Sequence, residues 1–220
     1  VEIRDYQYVR NQYFYLDDLY RGQLNDFAAL NTGIPDDFDA SAAVDERSLQ
    51  VYINDFNVSN DPEQLARPGR ADANTGNPND QRTGYSEVGT WHRLDPDNDY
   101  ALVGELGYIV LRTPVQDRHA LAVTYRTVAG DQIGTTPELP DSLRLRLIKP
   151  RDARPDFPTW NLEWKNVYRI VRGFSQGRLF DEDKIRVEVL HEVPGAEPEN
   201  TQGGKSFLQL MGLDRHGQDS

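Results

Sequence analysis

An alternation of period two constrains this chain more than any other feature. In Leu143-Arg144-Leu145-Arg146-Leu147 the leucines fall on one face and the arginines on the other, the pattern of a strand with one buried and one wet side. Leu49-Gln50-Val51-Tyr52-Ile53 and Ile185-Arg186-Val187-Glu188-Val189 repeat it, and Leu121-Ala122-Val123-Thr124-Tyr125 follows with a less polar outer face. Gly107-Tyr108-Ile109-Val110-Leu111 is apolar throughout, which predicts a central strand covered on both sides. Val1 to Val9 also alternates, and Val88 to Leu94 predicts a short strand. Strands in this number predict a mainly β protein, a β-sandwich of about 6–8 strands with two or three short helices; α+β is the alternative.

Three segments carry a helical period instead. Leu16, Leu19, Tyr20, Leu24 and Phe27 form one apolar stripe after the aromatic run Tyr13-Phe14-Tyr15, with Asp17 and Asp18 near its positive end. Trp160, Trp164, Val167, Tyr168 and Val171 recur at similar steps, which predicts a helix with Trp160 and Trp164 facing the core, although tryptophan, valine and tyrosine favour a strand as well. Phe207 to Met211, followed by Gly212, predicts a short helix closed by glycine. Polar connections fill 31–47, 60–84 and 194–204. Strand signals lie on both sides of the longest of them, so the pattern predicts a single β-rich domain over 1–220 decorated by long loops. Val1 opens directly into patterned sequence, as expected of a fragment of a larger protein.

Composition excludes several function classes. Lys and Arg total 24 against 36 Asp and Glu, a net charge of −12, so no clustered positive surface for nucleic acid or anionic lipid is expected. Cysteine is absent, which removes disulfide scaffolds, thiol catalysis and cysteine-bound zinc. No run approaches the ~18 apolar residues of a membrane-spanning helix. The charges comprise 20 Arg, 4 Lys, 24 Asp and 12 Glu. Both a salt-tolerant host and a high-GC genome produce that skew, and the sequence leaves the two open.

Catalytic motifs are missing. His92, His119, His191 and His216 are the only histidines, no Gly-x-Ser-x-Gly elbow surrounds a serine, and no His-Glu-x-x-His pair occurs. The glycine-containing segments lack the Lys-Ser/Thr ending of a phosphate loop. The expectation is a non-enzymatic protein without cofactor or catalytic residues. Asp95, Asp97 and Asp99 are weak calcium candidates, being carboxylates at alternate positions of Asp95-Pro96-Asp97-Asn98-Asp99. An EF-hand reading fails at Tyr100, where glycine is required, and at Leu106, where the bidentate glutamate belongs. Trp91, Trp160 and Trp164 are the candidates for a sugar-stacking platform, set against the demand of a core for aromatic bulk.

Several ordered stretches carry a family resemblance. They are Leu49-Gln50-Val51-Tyr52-Ile53-Asn54-Asp55-Phe56-Asn57-Val58-Ser59-Asn60-Asp61-Pro62, Leu106-Gly107-Tyr108-Ile109, Leu121 to Tyr125, Ile133-Gly134 and Leu147-Ile148-Lys149-Pro150. Trp160-Asn161-Leu162-Glu163-Trp164-Lys165-Asn166-Val167-Tyr168 and Leu208 to Asp214 complete the series. Together they resemble the SprA (Sov) family, very large outer-membrane proteins that form the translocon of the type 9 secretion system and take part in gliding motility. The family pattern has Met-Met where this chain carries Glu163-Trp164. The resemblance implies an extramembrane structural domain associated with the outer membrane, on its periplasmic or cell-surface side. Its partners would be other domains of the translocon, secretion-system subunits or exported proteins, with no nucleic acid and no membrane span in this chain. The alternative is a carbohydrate-binding or calcium-dependent adhesion β-sandwich of a cell-surface protein.

Overall fold

The computed structural model describes residues 3–24, 40–61, 66–73, 80–134, 142–169 and 188–210. In chain order the elements are β1 (Tyr13–Tyr15), helix α1 (Asp18–Leu24), β2 (Gln50–Asn54), β3 (Arg67–Asp72), β4 (Ser86–Arg93), β5 (Tyr100–Val103) and β6 (Tyr108–Leu111). They continue with β7 (Ala120–Arg126), β8 (Gln132–Ile133), β9 (Leu143–Lys149), β10 (Thr201–Gln202) and β11 (Lys205–Ser206). The protein is mainly β, as the alternation predicts.

The larger sheet runs β2-β4-β3-β9-β7-β8, and β2 pairs with β7 as well, so the order returns to its start. Five strands thereby form a hydrogen-bonded ring, which removes the exposed edges of an open sheet. Four of its five pairings are antiparallel; β3 and β9 run parallel, with Ala71 opposite Leu145. One face of these strands makes a common core from Tyr52, Ala71, Ala73, Trp91, Ala120, Ala122, Leu143, Leu145 and Leu147. The alanines leave the volume that the indole of Trp91 fills, and its Nε1–H donates to the Gly69 carbonyl at 3.3 Å. Gly69 is held to glycine by that packing, since a Cβ there would stand 2.6 Å from Leu143 Cβ.

A second sheet, β1-β6-β5, is antiparallel throughout. Its core positions are Phe14, Tyr15, Ile109 and Leu111. Gly107 turns the chain into β6 with a left-handed backbone (φ 61), where a Cβ would lie 2.1 Å from the Tyr20 ring of α1. Tyr20 donates its hydroxyl to the Ala42 carbonyl at 2.7 Å, and Arg146 of β9 pairs with Asp17 at 2.5 Å.

Several expectations change. The strands buried on both faces are β2, buried throughout, and β7, whose Ala120 to Tyr125 are all buried, whereas β6 alternates buried and half-buried residues. Val1 to Val9 forms no described strand; a 3₁₀ turn covers Asp5–Gln7. The Trp160 segment is not a core helix: a 3₁₀ turn, Trp160–Leu162, gives way to extended backbone bridged to β1 through Phe14 and Glu163. Both indoles there are half-buried. The expected loop at 60–84 contains β3, and that at 194–204 contains β10. The strand expected over Ile185 to Val189 lies largely outside the described residues, as does His216.

Where one domain is expected, contacts divide the chain into two compact units, 1–22 with 39–170, and 23–38 with 171–220. The described part of the second is a β10–β11 hairpin turned by Gly203 (φ 59) and Gly204 (φ 79), then a helical turn Phe207–Leu210. Two positive φ values in a two-residue loop match the twist of the flanking strands.

Candidate functional site

Beyond β9 the chain turns at Pro150, and Lys149 anchors that turn. Its side chain is buried, and Nζ donates to the carbonyls of His119 (2.7 Å), Asp117 (2.8 Å), Gln116 (3.3 Å) and Pro150 (3.3 Å). Burial lowers its pKa to about 8, against the opposing pull of Asp117, Glu163, Asp152 and Glu87. The ammonium thus ties the 116–119 loop to the Pro150 turn. The Asp152 N–H completes the tie by donating to the Asp117 carbonyl at 2.9 Å.

Two clefts open on this scaffold, and Asp152 lines both. The first, of about 430 Å³, lies between the segment preceding β4 and the 151–157 segment. Arg82, Arg151, Arg154 and Glu87 supply its charged groups besides Asp152. Each guanidinium rests on an aromatic ring: Arg82 on Tyr85 (3.8 Å to the centroid), Arg154 on Phe157 (4.5 Å) and Arg151 on Phe56 (4.7 Å). Such stacking fixes a planar donor fork. Glu87 accepts the Arg151 N–H at 3.0 Å, and burial raises its pKa. The second cleft, of about 290 Å³, is lined by Tyr8, Arg10, Asn11, Asp117, Trp160 and Glu163. The Asn11 amide N–H donates to Glu163 at 2.6 Å and its side-chain amide to Asp117 at 2.7 Å. Lys165 lies over the Trp160 ring, 4.3 Å from its centroid, and donates to the Trp160 carbonyl, so the indole is held in place.

Backbone strain gathers here. Among the described residues the non-glycine positions with positive φ are Asn11 (58°), Phe56 (57°) and Asp152 (48°). Asn11 and Asp152 line the clefts, and Phe56 lies under Arg151. A left-handed backbone costs a bulky residue about 1–2 kcal/mol. Asn and Asp adopt this region readily, so Phe56 is the position at which the strain is held.

The residues singled out from sequence are scattered by the fold. Trp91 is fully buried in the ring and cannot serve as a platform. Trp164 packs between Tyr15 (5.2 Å) and Tyr108 (5.1 Å), leaving Trp160 as the indole that lines a cleft. Asp95, Asp97 and Asp99 occupy the exposed turn between β4 and β5. There Asp99 accepts the Asp95 N–H at 2.7 Å and Asp95 the Asp97 N–H at 2.8 Å, so these carboxylates cap their own turn. No group of three or more His, Asp or Glu side chains suited to a metal ion occurs among the described residues. His92 and His119 both feel Asp55, and burial lowers the pKa of each. The sequence reading missed the arginines of the clefts altogether. The one local sign of them is the proline-bracketed turn Pro150-Arg151-Asp152-Ala153-Arg154-Pro155.

The chain matches no protein-family model, and a search of curated proteins finds no match.

Proposed function

We propose that the chain is a non-enzymatic, extramembrane interaction domain of an SprA-type outer-membrane translocon, holding secretion-system subunits or exported proteins during type 9 export. The ordered set of shared segments carries this reading, and their distribution in the fold supports it. They supply β2, β7, the end of β9 and the Trp160-to-Tyr168 strap, which are parts that build the body. The strap joins β1 through Trp164 N–H to Tyr13 O (2.9 Å) and lies against the N-terminal segment through Val9 N–H to Val167 O (2.7 Å). Resemblance concentrated in scaffold residues suits a shared architecture with a holding role.

The strands also suit a site outside the bilayer. The longest described strand, β4, has 8 residues, and a membrane-crossing strand takes about 9–11. The ring is filled by Trp91 and leucines, so it is a packed core with no lumen. Among the described residues no helix is long and apolar enough to cross a membrane. The test is fractionation of the source cells with an antibody raised against this chain. The expected signal is an outer-membrane polypeptide several times longer than 220 residues. A short polypeptide confined to the cytosol would overturn the proposal.

A further inference from the structure

We infer that the paired clefts centred on Asp152 form one binding groove for a neutral oligosaccharide. Although the chain carries a net −12, each cleft mixes both signs: Arg82, Arg151 and Arg154 with Glu87 and Asp152 in the first, and Arg10 with Asp117, Asp152 and Glu163 in the second. Arg82 is held by Asp80 at 2.6 Å and Arg154 lies 3.6 Å from Asp156, while Lys149 and Lys165 stand close to the carboxylates of the second cleft, so neither cleft presents an uncompensated field of one sign. A hydroxyl both donates and accepts hydrogen bonds. A polyhydroxyl ligand can therefore use the guanidinium donors and carboxylate acceptors of each cleft at once, without carrying charge.

Three further observations point the same way. Trp160 and Tyr8 place flat apolar surfaces beside the polar groups of the second cleft, matching the apolar C–H face of a pyranose ring. The guanidinium of Arg151 is stacked on Phe56 and makes no hydrogen bond among the described residues, so its donor fork is oriented and open. Asn11 and Asp152, which line the clefts, have left-handed backbones, as does Phe56 beneath Arg151. The first cleft, at about 430 Å³, also falls within the roughly 300–1,000 Å³ typical of ligand sites.

The groove lies wholly within the unit formed by 1–22 and 39–170, and the inference does not depend on the translocon reading. A chain that binds glycans yet belongs to another assembly would leave the groove standing.

The test is an array of neutral oligosaccharides of several hexose and N-acetylhexosamine types, probed with the full chain, followed by titration of the hits using tryptophan fluorescence. Saturable binding is expected, insensitive to salt from dilute to molar sodium chloride. Trp160→Ala and Arg151→Ala should each weaken it by roughly tenfold or more. Arg151→Lys should weaken it similarly, because lysine retains the charge and loses the planar fork. Arg93→Ala, on an exposed position outside the groove, should leave it unchanged. Thermal unfolding of the variants, which reports the intact core around Trp91, separates lost binding from lost fold. Absence of binding across the array overturns the inference, as does binding that folded Trp160→Ala and Arg151→Ala variants retain. Binding restricted to sulfated glycans or acidic peptides and abolished by salt overturns it too.

Discussion

Replacing Lys149 with methionine should remove a pH dependence of stability that an exposed lysine does not produce. Burial holds the folded pKa near 8, about 2.5 below the ordinary 10.5. The unfolded chain therefore binds the proton more tightly than the native protein does between these values, and stability rises with pH across that window. At 1.36 kcal/mol per pH unit the full displacement corresponds to about 3.4 kcal/mol. About 2 kcal/mol of this is recovered between pH 8 and 10, because the titration is incomplete at both ends. Tyr15 and Tyr125, with Tyr8, Tyr20, Tyr52, Tyr100, Tyr108 and Tyr168, have pKa values that burial raises, so they oppose the trend as pH approaches the ordinary value of 10 at which they ionise in the unfolded chain. Lys165, also lowered by burial, adds a rise of the same sign, so the difference between wild type and Lys149→Met isolates the buried amine. Urea unfolding followed by tryptophan fluorescence at successive pH values measures it. The expected result is a wild-type stability that gains about 2 kcal/mol on Lys149→Met between pH 8 and 10, and an identical pH profile for the two proteins would refute the reasoning.

Gly107→Ala should destabilise by roughly 2–5 kcal/mol, combining left-handed strain with overpacking against the Tyr20 ring, as thermal unfolding will report. Burial lowers the folded pKa of His92 below the ordinary 6.5. Its contribution to stability is therefore complete above pH 6.5 and lost as pH falls through the folded value, so His92→Gln should flatten the acid limb of a stability profile. Calcium should leave the melting temperature of the chain unchanged, because Asp95 and Asp99 already accept their own turn's amides; a rise on titration would restore the metal reading of that loop.

What could be read from sequence follows from where each residue's partners lie. β9 announces itself because its leucines meet the ring core while Arg144 stays exposed, the burial that period-two alternation records; β2 and β7 are buried on both faces and read as strands through their valine, isoleucine and tyrosine content. β3 reads as loop, since Arg67-Pro68-Gly69-Arg70-Ala71-Asp72 lacks strand propensity. It is a strand because β4 and β9 flank it, and because Gly69 admits the close approach of Leu143 while Trp91 fills the face. The Trp160 segment shows a four-residue apolar spacing, yet its backbone bonds go to β1 and the N-terminal segment in extended form. Tertiary pairing decided that stretch over local pattern. The groove was the least legible part. Its residues come from 8–11, 81–87, 117 and 151–163, and they converge only through the Lys149 tie and three left-handed backbones that no local pattern specifies.

The proposal of a holding domain in an export translocon is tested most directly by deleting the codons for residues 40–169 in frame from the parent gene and measuring where exported proteins accumulate. The account predicts that the shortened translocon still reaches the outer membrane while its cargo builds up in the periplasm and surface delivery falls. Undiminished delivery, with the shortened protein present in the outer membrane, would contradict it.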